Sequence, residues 1–399
     1  MAVINVVEWT RLEPWRVARA RTDQDETVIV KWSGPHAART HTEEWRLRTE
    51  VAALRFLADD LGTRLAPRVL AEDLAAGQVV LEDLAPRTAL DGLLRRDGAP
   101  AHAERLAAFA RARGELGAVT AGQASPYYRR RAALGPVEPA ADLLGHVGRL
   151  RTSGVPEAGV LEVPARGGVE RELAAALDEL ADPGAFLVLS NGDPEANNVL
   201  VHEGGAADAK LIDFEFAGFR HALHDAACLY VPGPAWMWVS ASPAGAEAAG
   251  TPPPAGAGRL PRSAAGRLPR AGAGRLPQDT GDGGAALEEL GDVYRRALAA
   301  GVPEAEDDRR YGLGLAAACV AYALARLHRL PVLHARPAGD DSRAQLVASL
   351  EAAGRTADAH RVLPRLAGWC RHLAGALRRR WPDADIDVAA LAPYTPRRR

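Results

Sequence analysis

Asp193 and Asn198 stand five residues apart in SNGDPEANNVLV, and Asp213 follows fifteen residues after Asn198 in KLIDFEF. All three carry oxygen, the donor that a hard cation such as Mg2+ takes, typically one or two ligands from protein and the rest from phosphate and water. A carboxylate (Asp213) and an amide oxygen (Asn198) on adjacent strand ends would supply that pair. Asp193, left free of the metal, would then orient an acceptor hydroxyl and take its proton. The chemistry this spacing suits is phosphoryl transfer. A lone Asp-x-x-x-x-Asn is common in loops; the Ile212-Asp213-Phe214-Glu215 run at a fitting distance separates this one from the background.

Composition marks the same stretch. Lys31 and Lys210 are the only lysines of the chain, and three of its four asparagines are Asn191, Asn197 and Asn198. Arginine would serve on any solvated surface here, so Lys31, centred in the apolar run TVIVKW, calls for a compact ammonium at a defined place.

Three elements must hold that lysine. AVINVV (Ala2–Val7), WRVARA (Trp15–Ala20) and TVIVKW (Thr27–Trp32) read as antiparallel strands, with RVLAED (Arg68–Asp73) and QVVLED (Gln78–Asp83) to follow. Between them Leu47, Val51, Leu54, Ala58 and Leu61 repeat on one face, predicting a helix over Thr42–Leu61 with Glu50 at the edge of that face.

From Thr88 onward long alanine- and leucine-rich helices are expected: Ala101–Ala118, Val169–Leu180, Ala285–Ala299, Asp307–Leu330, Ser342–Ala353 and Ala357–Trp381. Short strands at Phe186–Ser190, Asn198–His202 and Lys210–Phe214 interrupt them. From Ser242 to Gly284 the chain is Ala, Gly, Pro and Arg with GRLP recurring at Gly258, Gly266 and Gly274, a composition that cannot form a core. It reads as a disordered, tolerated insertion.

Taken together these residues resemble the aminoglycoside phosphotransferase and choline kinase-like group, small-molecule relatives of the protein kinases. Its signature, His-Gly-Asp-x-x-x-x-Asn and then Ile-Asp-Phe-Glu, is met by Asn191-Gly192-Asp193, Asn198 and Ile212–Glu215. The resemblance covers residues 1–235 and implies an α+β, protein kinase-like bilobal fold. A small antiparallel-sheet lobe (1–86) would precede a larger, mainly helical lobe (87–399) that carries the 242–284 insertion. It implies Asp193 as the catalytic residue, Asn198 and Asp213 as Mg2+ ligands, and Lys31 paired with Glu50 on the nucleotide phosphates. Glu82 and Leu84, in VVLEDL (Val79–Leu84), match the connector whose backbone grips adenine, and Asp225 in HDAACL would brace the catalytic loop.

Two positions depart from the group. Asn191 replaces the usual histidine, and no glycine lies between Val7 and Val17, where a glycine-rich turn often covers the phosphates. The donor is therefore read as ATP or GTP. Two other readings are a kinase-like protein that binds without catalysis and a helical scaffold that docks partners through the insertion.

The remaining composition narrows the field. A net charge of −2 gives no reason to expect nucleic acid. The start lacks a basic region before an apolar core, and the weakly polar run Tyr311–Ala325 is too short for a bilayer, so no membrane partner is expected. Cys228, Cys319 and Cys370 form no pair spacing, which suits a reducing cytoplasm. The acceptor is expected to be a small molecule; aminoglycosides, macrolides, choline, sugars and amino acids all remain open, as does the oligomeric state. Glu215 is left between a site role and a structural one, and Trp236 and Trp238 between an acceptor pocket and core packing.

Overall fold

The computed structural model describes residues 4–13, 16–33, 42–232, 283–337 and 341–384. The first layer is five strands: β1 (Val6–Glu13), β2 (Val17–Thr22), β3 (Thr27–Trp32), β4 (Val69–Asp73) and β5 (Gln78–Glu82). They pair antiparallel in the order β1-β2-β3-β5-β4, with β3 in the middle. Its β-branched Val28, Ile29 and Val30 fit a pleated, half-buried surface and place Lys31 opposite Val17 on one side and Val79 on the other.

Helix α1 (Glu43–Arg55) is capped by Thr42, whose hydroxyl accepts the Trp45 N–H, and ends in a single π turn, Phe56–Asp60. It buries Leu47, Glu50, Val51 and Leu54 on one face, as the periodicity requires. The first strand differs from expectation: it spans Val6–Glu13 rather than Ala2–Val7, of which residues 2 and 3 lie outside the described part. It is an edge strand with Val6, Val7, Trp9 and Leu12 exposed, so burial imposes no pattern on its sequence.

Past β5 comes a two-residue strand, β6 (Thr88–Ala89), then helices α2 (Leu90–Asp97), α3 (Ala103–Thr120), α4 (Ala124–Ala132), α5 (Pro139–Arg149), α6 (Val155–Val160) and α7 (Gly168–Ala181). Four short strands follow, β7 (Leu187–Ser190), β8 (Val199–Val201), β9 (Ala209–Leu211) and β10 (Gly218–His221), then α8 (Leu223–Tyr230). The chain continues with α9 (Gly283–Ala299), α10 (Asp308–Ala325), α11 (Leu330–His334), α12 (Asp341–Ala359) and α13 (Pro364–Arg380). Strands β6, β8 and β9 form one small sheet, and β7 pairs with β10. The molecule thus has the expected small antiparallel-sheet lobe and larger helical lobe.

Three expected boundaries change. The break expected between Ala353 and Ala357 lies instead between Ala359 and Pro364, because Arg361 and Leu363 take left-handed backbone (φ 55° and 50°) and Pro364 opens the second helix. The helix expected over Asp307–Leu330 ends at Ala325, followed by a 3-10 turn and then α11. Together they form a 27-residue run, Asp308–His334, apolar enough in one window to cross a membrane; 67% of that window is buried inside the fold, as in a core helix. The strand expected over Lys210–Phe214 stops at Leu211, so Asp213 sits in the turn beyond it. Of Ser242–Gly284 only the last two residues are described, at the start of α9; Trp236 and Trp238 also lie outside the described residues.

Candidate active site

Lys31 is where the two lobes meet. Its Nζ donates to Glu50 Oε1 at 2.7 Å and Oε2 at 3.0 Å, and to Asp213 Oδ1 at 3.1 Å. Burial opposes the ammonium charge, but the two carboxylates outweigh it and raise the lysine pKa, so Lys31 stays charged. Glu50 is buried at 3% exposure, whereas the Asp213 side chain keeps 37%. Asp213 adopts left-handed backbone, φ 62°, a region that aspartate tolerates better than most residues. The Ile212 N–H, donating to the Asn198 carbonyl at 3.0 Å, sets this turn beside the loop carrying Asn198.

That loop, residues 190–198, is fixed from within. Gly192 has φ 92°, and a Cβ there would lie 2.5 Å from both Cβ and the carbonyl oxygen of Phe216, so only glycine fits. The Gly192 N–H donates to Ser190 Oγ (3.0 Å), which donates to Asp225 Oδ1 (2.6 Å) on α8. This brings Asp225 to the loop it was expected to brace. Asn191, fully buried, accepts from Arg113 Nη1 at 2.7 Å and donates to the Ile212 carbonyl at 2.9 Å. The residue standing where the group has histidine therefore ties α3 to the Asp213 turn.

Asn198 donates its Nδ2 to the Asp193 carbonyl at 3.0 Å, which orients its Oδ1 away; that oxygen accepts from Asn197 at 3.0 Å and retains a second lone pair. Asp193 is exposed as a residue, yet enough protein surrounds its carboxyl that loss of water raises its pKa. Arg113 and Asn198 oppose the rise and the Asp213 charge adds to it.

The oxygens present fit a hard cation. Asp213 offers a partly exposed carboxylate and Asn198 an amide oxygen, with no sulfur or imidazole contact described at either. Among the described residues no group of three or more His, Cys, Asp or Glu converges on a metal position. A cation held here would complete its shell with phosphate and water.

At the connector, Glu82 pairs in register with Val28 and donates its N–H to the Arg68 carbonyl at 2.9 Å; the carbonyl of buried Leu84 accepts from Arg87. Asp83, between them, ion-pairs with Arg19 of β2 at 2.7 Å. Glu215 lies 3.5 Å from Arg46, and burial, with the Asp213 charge added and Arg46 opposing, pushes its carboxyl up to about 7. Where a glycine turn was missed, Arg16 (φ 86°) reaches Glu43 of α1 at 2.7 Å; Pro14 and Trp15 lie outside the described residues.

Lys210, the other lysine of the chain, donates to the Arg64 carbonyl at 2.5 Å. Sequence reasoning gave no role to Arg113, Tyr322 or Arg326. Tyr322 donates to Glu195 Oε1, and Arg326 lies 3.6 Å from the same oxygen with its guanidinium over the Tyr322 ring. The one available signal was an arginine (Arg113) on the mainly apolar buried face of α3.

With this geometry in hand, comparison with known proteins is informative. The model of the phosphotransferase enzyme family (APH) matches residues 16–266. Among solved structures, the chain is similar to a choline/ethanolamine kinase family protein from Mesorhizobium loti, at 17% identity over 93% of this chain and 92% of that one, TM-score 0.44. It is also similar to an aminoglycoside phosphotransferase from Alicyclobacillus acidocaldarius (13% identity, 94% and 93%, TM-score 0.44). A third is a macrolide 2'-phosphotransferase from Brachybacterium faecium (14% identity, 86% and 91%, TM-score 0.43). Comparison with curated proteins finds no match.

Proposed function

The chain belongs to the phosphotransferase enzyme family, and from that premise we propose that it moves the γ-phosphate of ATP, with Mg2+, to a hydroxyl of a small molecule in the cytoplasm. The observation that carries this reading is Lys31 held between buried Glu50 and partly exposed Asp213, directly beside the loop of Asp193 and Asn198.

In this reading Lys31 exchanges its bond to Asp213 for a donor phosphate oxygen while Glu50 keeps the ammonium in place. Asp213 and Asn198 would hold Mg2+, which when bound neutralises phosphate charge. Asp193 orients the acceptor hydroxyl and receives its proton as the oxygen attacks; its raised pKa improves it as a base. The connector around Glu82 and Leu84 would carry the adenine.

A screen of ATP and GTP consumption against a panel of hydroxylated metabolites and antibiotics tests this. The expected result is Mg2+-dependent, stoichiometric formation of a phosphorylated acceptor with at least one panel member. Nucleotide binding without transfer to any acceptor or to water would leave a ligand-binding protein instead.

A further inference from the structure

A guanidinium with almost no exposed surface sits on α3, and the hydrogen-bond and ion-pair partners described for it belong to the catalytic loop or its brace. Arg113 is 1% exposed, among buried Phe109, Ala110, Ala112 and Leu116. A charge in such surroundings is costly unless hydrogen-bonded and paired. Its partners are Asn191 Oδ1 at 2.7 Å, the Asp193 carbonyl at 3.5 Å and Asp225 Oδ2 at 3.8 Å. Phe109 lies under the guanidinium at 5.7 Å, and Nε has no hydrogen-bond partner. An arginine that merely filled the helical core would find its acceptors among helix ends and neighbouring side chains. This one reaches two positions of a single loop, Asn191 and Asp193. Through Asn191 it also reaches the Ile212 carbonyl, one residue before Asp213.

We propose that Arg113 is a positioning residue: its buried guanidinium, bonded to Asn191 and paired with Asp225, holds the loop of Asp193 in register with the turn of Asp213. This rests on the role read above for Asp193. It also explains how asparagine serves at position 191. The amide oxygen needs a strong donor, the amide nitrogen needs a carbonyl, and Arg113 and Ile212 provide them at the two ends of one side chain.

The test combines hydrogen exchange with steady-state turnover of Mg-ATP, using water as the acceptor where none is yet identified. Arg113→Met removes the ion-pair partner of buried Asp225, so it is paired with the double variant Arg113→Met/Asp225→Asn, which removes both charges. In a folded variant, amides of residues 190–198 and 211–214 should exchange at least about tenfold faster while β3 and α1 are unchanged. Turnover should fall about 30- to 100-fold with KM for ATP within about threefold, as displacement of a base by roughly 1 Å would produce. Arg113→Lys, which can still donate to Asn191, should recover part of both effects. Unchanged loop exchange, or exchange raised equally through the helical core, would overturn the proposal. If the wild-type chain turns over no ATP, the Asp193 reading falls, and the exchange pattern alone still decides the role of Arg113.

Discussion

Around Lys31 the lysine and Asp213 are partly open to solvent, with 19% of the lysine side chain and 37% of Asp213 exposed; around Asn191, which bonds to the carbonyl preceding Asp213, the asparagine and the Arg113 side chain are both at 0%. The first region is held by ion pairs that an incoming phosphate can replace, since a partly hydrated lysine trades one anion for another at little cost. The second is held by buried hydrogen bonds that have no substitute once broken. The contrast separates two tasks within one site. In the proposed reading, exchangeable charge would receive the ligand, and the buried network would keep Asp193 and the Asp213 turn in register before anything arrives.

The contrast can be broken at several points, beginning with Asp193, the proposed base. Asp193→Asn should lower phosphoryl transfer by about 1,000-fold while nucleotide affinity, measured by calorimetry, stays within about threefold. On the exchangeable side, Lys31→Met should reduce kcat/KM for the nucleotide by about 100-fold, chiefly through KM. Because that change strands Glu50, the double variant Lys31→Met/Glu50→Gln should regain thermal stability without regaining affinity, read by melting and nucleotide titration together.

Asn191→Ala addresses the buried side. Losing bonds to Arg113 and Ile212 should cost about 2–4 kcal/mol of stability, measured by denaturant midpoint. An equal loss from Lys31→Met/Glu50→Gln would erase the distinction between the two regions. The smallest effect is expected from deleting residues 242–282, which contribute no described residue to the site: turnover should change by less than about twofold. Loss of activity there would favour a docking role for the GRLP repeats.

What could be read from sequence follows the same division. That Lys31, Glu50 and Asp213 would meet, beside a loop carrying Asp193 and Asn198, was legible because each belongs to a short local pattern, an apolar strand, one helix face or a loop of fixed spacing. Arg113 was not, because its partner Asn191 is 78 residues away and arginine is the default basic residue of the chain. The same holds for Tyr322, whose partner Glu195 lies 127 residues off. Among the elements, β3 was predicted to the residue, its β-branched run lying between two paired strands, whereas β1 slipped by several residues because its edge position buries little. Pro364 was a visible breaker; the helical pattern on either side of it concealed the two left-handed residues that separate α12 from α13.

The central claim is that Asp213 and Asn198 hold a metal together with nucleotide phosphate, and calorimetric titration of ADP with and without Mg2+ tests it most directly. In the wild-type chain Mg2+ should tighten ADP binding by about tenfold or more, and Asp213→Asn should abolish that dependence while leaving metal-free affinity intact. ADP affinity indifferent to Mg2+ in the wild-type chain, or full Mg2+ dependence in Asp213→Asn, would contradict the account.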